Sequence, residues 1–544
     1  MAIITEPANA AYRLQILAVK SALVMITAVL FAPQVQAAES KLTLSVRSAL
    51  YGYEIDAASV GSTQNGAAWE LAPDIVWSRE SANMQTRISL EHQSLIYDDT
   101  LRENRSFNDL SFANTITALD KRISWQVAAD QRYQIRNSQA GIFSDKITNS
   151  GNLSKTNSYK SSIGYQNLPS AKYRAELGLA LTKLRSEQTE IDDGFGVIDT
   201  DSYSASWAFG SNERALNLFW LFDGNVEEYK RSAGTDISQE AYRFFAGIPF
   251  APNFSLVGRI GSERIENNLN ASNDYDYFGA GVEYRFGVRS RINVIMNRSD
   301  SQLIGDKSET QTFVSSDFLF APSRRTSLEG SLDRSFYGRV LQLSGNYNLQ
   351  HISIRLNAGE RITTQNSLDR ELQDLGIFVC PDGSSDLTDC FKPPSNRYVP
   401  VFGESLQQYS QISTELRQEL VRNTNTGIAL AYSKNRLKLS VNLNNSKTDY
   451  LESADFSRSR NIAIGATWLI NEHNELLTNI SFYELRYDDE ARQDDNLSAS
   501  VSYKRTLTEK SSAKLSLRRF DRNSSSIEFD NAENRVWLEY EYRF

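Results

Sequence analysis

The chain has 544 residues, of which 40% are apolar, 11% aromatic and 23% charged, with 2 Cys, 3 His and a formal net charge of -9. A mean hydropathy of -0.44 excludes a bundle of membrane helices, each of which needs about 20 consecutive apolar residues, and the aromatic share excludes a disordered chain. The acidic balance offers nothing to nucleic acid, and so few cysteines and histidines exclude a disulfide-dense scaffold and a multi-histidine metal site.

The first segment is a targeting signal. Arg13 and Lys20 precede an apolar run from Ala22 to Ala32, followed by Pro33 and the small-residue exit Val35-Gln36-Ala37-Ala38. This three-part pattern predicts a signal peptide over 1–37, cleaved after Ala37, with 38–544 as one exported domain. Its removal takes Arg13, Lys20 and Glu6 and leaves the remainder one unit more negative.

From Leu42 onward the dominant signal has period two. Apolar side chains alternate at Leu42, Leu44 and Val46, at Trp69 and Leu71, at Ile123, Trp125 and Val127, and at Phe278, Ala280, Val282 and Tyr284. The alternation resumes at Leu437, Leu439, Val441 and Leu443, then at Ile462, Ile464, Ala466 and Trp468. Successive side chains of a strand leave opposite faces, so each stretch is a strand with one apolar and one polar side. Short turns such as 119–122, 287–290, 433–436 and 508–511 alternate with longer polar links such as 187–201, 226–238, 446–458 and 523–532. Short turns at one end and long loops at the other predict an all-β fold, a single antiparallel transmembrane β-barrel of the outer-membrane type. Both termini belong on the periplasmic side, so the strand number is even; the count is 24, within 22 to 26.

One link stands apart, a long extracellular loop at 365–423, the connection long enough to close the barrel mouth. Within it, the spacing of Leu406, Tyr409, Ile412, Leu416 and Leu420 predicts a short amphipathic helix over 406–420, and the next strand begins at 424. Cys380 and Cys390, in a turn-rich stretch of an exported chain, are expected to form a disulfide.

The polar faces supply candidate lumen residues: Arg87 and Glu91, Glu283 and Arg285, Glu329 and Asp333, Arg355, Lys438 and Glu539. Catalytic constellations are sparse. Glu91 and His92 form the one conceivable dyad, while His351 and His473 fall at periplasmic turns, and neither a phosphate-cradling glycine loop nor a nucleophile elbow occurs. The chain therefore reads as a non-enzyme without cofactor or metal. The final strand alternates Val536, Leu538, Tyr540, Tyr542 and Phe544, which resembles the signal by which bacterial assembly machinery accepts an outer-membrane protein.

The stretch from Ala321 through Arg324, Arg325 and Asp333 to Arg334-Ser335-Phe336-Tyr337-Gly338, with the turn and strand Asn435-Arg436-Leu437-Lys438-Leu439-Ser440, resembles the PEP-CTERM-system-associated outer membrane proteins. The resemblance covers the chain from about position 315. It implies a large barrel linked to exopolysaccharide clusters of Gram-negative bacteria and brings no catalytic residues. The resulting expectation is a conduit or scaffold in exopolysaccharide export or surface assembly. Its partners would be outer-membrane lipid, the barrel assembly machinery, periplasmic polysaccharide-export proteins and the polysaccharide, with no nucleic acid. A general or solute-specific diffusion porin is the alternative, and an outer-membrane enzyme barrel the second. A plugged transporter is disfavoured, because few residues separate the cleavage site from the first strand.

Overall fold

Alternating segments cannot satisfy their backbone groups alone, so each must pair, and in this chain nearly every one pairs with its neighbour in sequence. The computed structural model describes residues 39–57, 62–98, 102–135, 145–167, 172–189, 197–211, 218–232, 236–267, 272–287, 289–302, 309–323, 325–335, 338–364, 373–381, 404–411, 420–450, 456–487 and 492–544. The first half holds β1 (Glu39–Ala57), β2 (Ser62–Glu80), β3 (Met84–Tyr97), β4 (Arg105–Ala118), β5 (Ile123–Ile135), β6 (Leu153–Gln166), β7 (Tyr173–Ser186), β8 (Ile198–Ser211), β9 (Phe219–Arg231), β10 (Ile237–Ala251), β11 (Phe254–Asn267), β12 (Ser272–Arg285) and β13 (Arg291–Gln302). The second half holds β14 (Glu309–Ser323), β15 (Thr326–Ser335), β16 (Gly338–Asn348), β17 (Ile352–Thr364), β18 (Gln373–Pro381), β19 (Glu404–Gln411), β20 (Leu420–Lys434), β21 (Leu437–Tyr450), β22 (Phe456–Asn471), β23 (Asn474–Tyr487), β24 (Arg492–Thr508), β25 (Ser511–Ser524) and β26 (Asn531–Arg543).

All but β18 and β19 join one 24-stranded antiparallel sheet, in which β17 pairs with β20 and β26 returns to β1. The closing register runs from Ser45 opposite Arg543 to Ala57 opposite Asn531. Closure leaves this sheet no free edge, as a structure surrounded by hydrocarbon requires. The end carrying both termini has tight connections, such as the two-residue turn at Asn435 and Arg436, where Asn435 adopts φ 52°. The opposite end carries the long links 136–152, 187–197 and 365–419. Tight turns mark the periplasmic end and long links the extracellular end.

Burial is inverted relative to a water-soluble protein. Leu50, Leu256, Phe278 and Met296 are 61%, 58%, 60% and 64% exposed, whereas Glu70, Glu283 and Asn293 are each 1% exposed. Apolar side chains form the outer surface and polar ones the lumen wall, so the protein is an outer-membrane barrel. Replacing Val441, whose neighbour Ile464 lies on the exposed apolar face, with Arg is expected to destabilise the barrel by about 2 to 4 kcal/mol near the midplane. Asn442→Arg, on the lumen side, is expected to cost less than about 0.5 kcal/mol. Urea titration of the barrel refolded in vesicles checks the pair, and equal effects at the two positions would overturn the face assignment.

Three sequence expectations change here. Glu404–Gln411 is a strand paired with β18 in a separate two-stranded sheet, so the helix expected over 406–420 does not hold. A helix that short leaves most of its terminal backbone groups unsatisfied, whereas pairing with β18 supplies partners directly. The next strand consequently begins at Leu420 rather than 424. Strand β9 lies at Phe219–Arg231 instead of 214–226, because its upper part, Glu227 to Arg231, carries charged side chains on both faces and a single aromatic, Tyr229, so apolar alternation is silent there. The signal peptide and Cys390 lie outside the described residues, as does any pairing of Cys390 with Cys380 of β18.

Candidate functional site in the barrel lumen

Buried polar side chains persist only with partners, and the lumen wall is organised by such pairings. On β11, Arg259 is 9% exposed and directs Nη1 and Nη2 to the two carboxylate oxygens of Asp333 on β15, at 2.6 and 2.7 Å. Its Nε donates to Asn297 Oδ1 on β13 at 2.6 Å, and its guanidinium lies 4.6 Å from the ring centre of Tyr277 on β12 and 5.9 Å from that of Phe313 on β14. Four strand spacings cover about 19 Å of sheet, more than an Arg and an Asp side chain span together. The wall therefore curls sharply across β11–β15. Gly261 makes room for the Tyr277 ring on this wall: a Cβ there would stand 2.4 Å from it.

Further pairs surround a cavity of about 890 Å³. Glu283 accepts from Arg285, on its own strand, and from Arg291 at 3.4 Å. Arg291 reaches Asp317 at 3.5 Å, which also accepts from Asn293 Nδ2 at 2.8 and 3.0 Å. Arg243 pairs with Asp223 at 3.0 Å, and Ser335 donates to Glu263. Glu329 borders an adjoining cavity of about 520 Å³ with Arg291, Asn423 and Asn425. Thus Glu283, Arg285, Glu329 and Asp333 share one region of the wall.

A second cluster lies on β1–β3. Arg47 Nε donates to Glu70 Oε1 at 3.0 Å and Nη2 to Glu91 Oε1 at 2.8 Å, while the Tyr51 hydroxyl donates to Glu70 Oε2 at 2.6 Å. The Tyr51 ring stacks on Trp537 of β26, with centroids 6.0 Å apart. Glu539 acts electrostatically on Arg47, as Arg87 does on Asp74. Arg355 lies opposite Ala429 and Lys438 opposite Ser433. Glu91 and His92 do not meet as a dyad: Glu91 holds Arg47 in the lumen, while the adjacent His92 belongs to the outward row with the exposed Leu90 and bonds to Asn108 Oδ1 at 2.6 Å and Ser94 Oγ at 2.9 Å. His351 Nδ1 contacts the Ser433 carbonyl at 3.1 Å at the periplasmic end. Among the described residues, no group of three or more His, Cys, Asp or Glu is placed to hold a metal ion.

The link between β5 and β6 was not singled out by the sequence, yet it turns into the barrel. Asp145 pairs with Arg535 of β26 at 2.8 Å and Arg518 of β25 at 3.2 Å, and its Oδ1 accepts the backbone N–H of Ile147 and Thr148 at 2.9 and 3.0 Å. Lys146 pairs with Asp109 of β4 at 2.6 Å, and Thr148 donates to Glu533 at 2.7 Å. Ile147 is buried against Leu95 and Phe107, and its carbonyl accepts the Tyr97 hydroxyl at 2.7 Å. Burial raises the Asp145 pKa, but the charges of Arg535 and Arg518 outweigh it and hold the carboxyl well below its ordinary value. The segment thereby fastens two parts of the lumen wall, β3–β4 and β25–β26. The available signal was Leu95-Ile96-Tyr97, where alternation fails and an apolar residue occupies the lumen face.

No family model matches the chain, and no curated protein matches it. Among solved structures, the chain is similar to the siderophore receptor PirA from Pseudomonas aeruginosa at 10% identity, covering 92% of this chain and 80% of that one with a TM-score of 0.38. It is also similar to the FrpB iron transporter (F3-3 variant) from Neisseria meningitidis, at 12% identity, 92% and 81% coverage and a TM-score of 0.40. A loop-deletion mutant of OmpT from Vibrio cholerae matches at 8% identity, 94% and 100% coverage and a TM-score of 0.28.

Proposed function

We propose that this barrel serves exopolysaccharide export or surface assembly, as a conduit or scaffold for the polymer, in the manner of the PEP-CTERM-system-associated proteins it resembles in sequence. The observation that carries the reading is the composition of the lumen wall, where ion pairs neutralise one another and alternate with amide side chains and aromatic rings. Arg259 with Asp333, Asn297 and Tyr277 is one such group; Arg47 with Glu70, Tyr51 and Trp537 is another. A polyhydroxylated chain is recognised by hydrogen bonds and by the flat faces of rings, and a wall whose charges are already paired does not trap small ions. Residues that touch the polymer act here by binding, and no bond is made or broken. Deleting the gene in the native host is expected to lower secreted polysaccharide several-fold, with recovery on complementation.

A diffusion porin is the second reading, and the inward segment 145–152 favours it, since porins narrow their lumen with a loop folded inside. Unchanged polysaccharide in the deletion strain, together with strong conductance of the purified barrel in planar bilayers, would replace the first reading with this one.

A further inference from the structure

On the outer face, above the apolar band at the extracellular ends of β20–β23, cations directly oppose one another. Lys447 of β21 stands opposite Arg458 of β22, and Arg458 stands opposite Arg486 of β23. Directly opposed like charges destabilise a sheet, and here three cations stand in a row on adjacent strands. Among the described residues three carboxylates serve these cations and their neighbours: Glu360 reaches Arg422 at 3.7 Å, and the other two are shared. Asp449 is shared by Lys447 at 2.6 Å and Arg422 at 3.0 Å, and Glu484 is shared by Arg486 at 2.6 Å and Arg460 at 3.4 Å. Among the described residues Arg458 has no ion pair; its Nε contacts only Asn445 Oδ1 at 3.4 Å. The same height elsewhere is built differently. Lys183 of β7 lies near both Asp199 and Asp201, and Arg264 of β11 near both Glu266 and Asp274, so each of these cations has two carboxylates within reach.

Height identifies the occupant. Arg458 lies four residues beyond Ile462 on the outward row of β22, and Arg486 four residues beyond Phe482 on β23; Ile462 and Phe482 belong to the exposed apolar band. At about 3.3 Å per residue this places the cations roughly 13 Å along the strands from these two side chains, at the level of the headgroups, with Phe456 further out on the same row, its ring 5.2 Å from Lys447 Nζ. The outer leaflet of a Gram-negative outer membrane is built from phosphorylated glycolipid. We infer that Lys447, Arg458 and Arg486, with Arg422 and Arg460 beside them, hold the phosphates of a lipid A molecule whose acyl chains lie against the apolar band below.

The test uses the full-length barrel in non-ionic detergent, with bis-phosphorylated lipid A as the probe and native mass spectrometry as the readout. The wild type is expected to retain lipid A. Replacing Lys447, Arg458 and Arg486 together by Ser should weaken binding about a hundredfold, each cation near an anionic surface contributing a factor of about five. Lys183→Ser should leave binding unchanged. In lipid-free detergent Arg458→Ser should keep or raise the melting temperature, because it relieves the opposed charges. Retained binding by the triple variant, or equal binding of dephosphorylated lipid A, overturns the proposal. So does a lowered melting temperature of Arg458→Ser, which would mark a structural arginine, and so does displacement by inorganic phosphate alone, which would mark a site for the free anion.

Discussion

Deletion of Phe544 is expected to lower the outer-membrane level of the protein by more than about tenfold, with the remainder degraded in the periplasm. In the folded barrel this residue does little structural work. Its N–H donates to the Leu44 carbonyl at 2.9 Å and its ring meets Tyr542 edge-on at 5.0 Å, while the side chain is 68% exposed. An exposed ring contributes well under the roughly 1.5 to 3 kcal/mol of a fully buried one, and the registers of β26 with β1 and β25 persist without it. A loss of that size would therefore reflect recognition by the assembly machinery rather than stability of the barrel. Two measurements separate it from instability: fractionated membranes should lack the truncated chain, and the same chain refolded in detergent should melt within a few degrees of the wild type. Normal outer-membrane levels of the truncated chain would show that the terminal aromatic is dispensable.

The second large effect concerns the inward segment. Asp145→Asn removes a carboxylate from between Arg535 and Arg518, and charge-assisted bonds of this kind contribute about 2 to 3 kcal/mol. If that free energy holds the segment to the wall, its released population rises about 30- to 150-fold, and trypsin added outside intact cells should cut after Lys146 faster by the same factor, because cleavage follows the open population when reclosing is fast. Arg535→Lys, which keeps a charge but loses the fork, should fall between the two. The pH dependence has a definite sign. The Asp145 pKa is held below its ordinary value of 3.8, so its contribution is present above that value and is lost only as the pH falls through the lowered one. Docking of the wild-type segment should thus be unchanged between about pH 7 and pH 4. Equal cleavage rates in wild type and Asp145→Asn would mean that Ile147 and its apolar neighbours alone hold the segment.

What the sequence determined by itself was everything that depends on neighbouring residues. Period-two alternation marked each of the 24 barrel strands, and it placed Arg87, Glu91, Glu283, Arg285, Glu329, Asp333, Arg355, Lys438 and Glu539 on the face opposite the apolar row, since a strand leaves its side chains no other choice. Parity and turn length then oriented the barrel. Boundaries drifted where both faces carry charged side chains, as at Glu227–Arg231, because above the hydrocarbon layer alternation carries no hydrophobic signal. Tertiary structure alone decided which of these side chains meet. Arg259 and Asp333 lie 74 positions apart and touch only because the wall curls across five strands, a curvature that no local pattern encodes. Asp145 finds Arg535 because a polar link, ambiguous in sequence, meets a complementary surface inside the barrel. The row Lys447, Arg458 and Arg486 exists only through register, which alignment of three strands sets jointly and which no single strand contains.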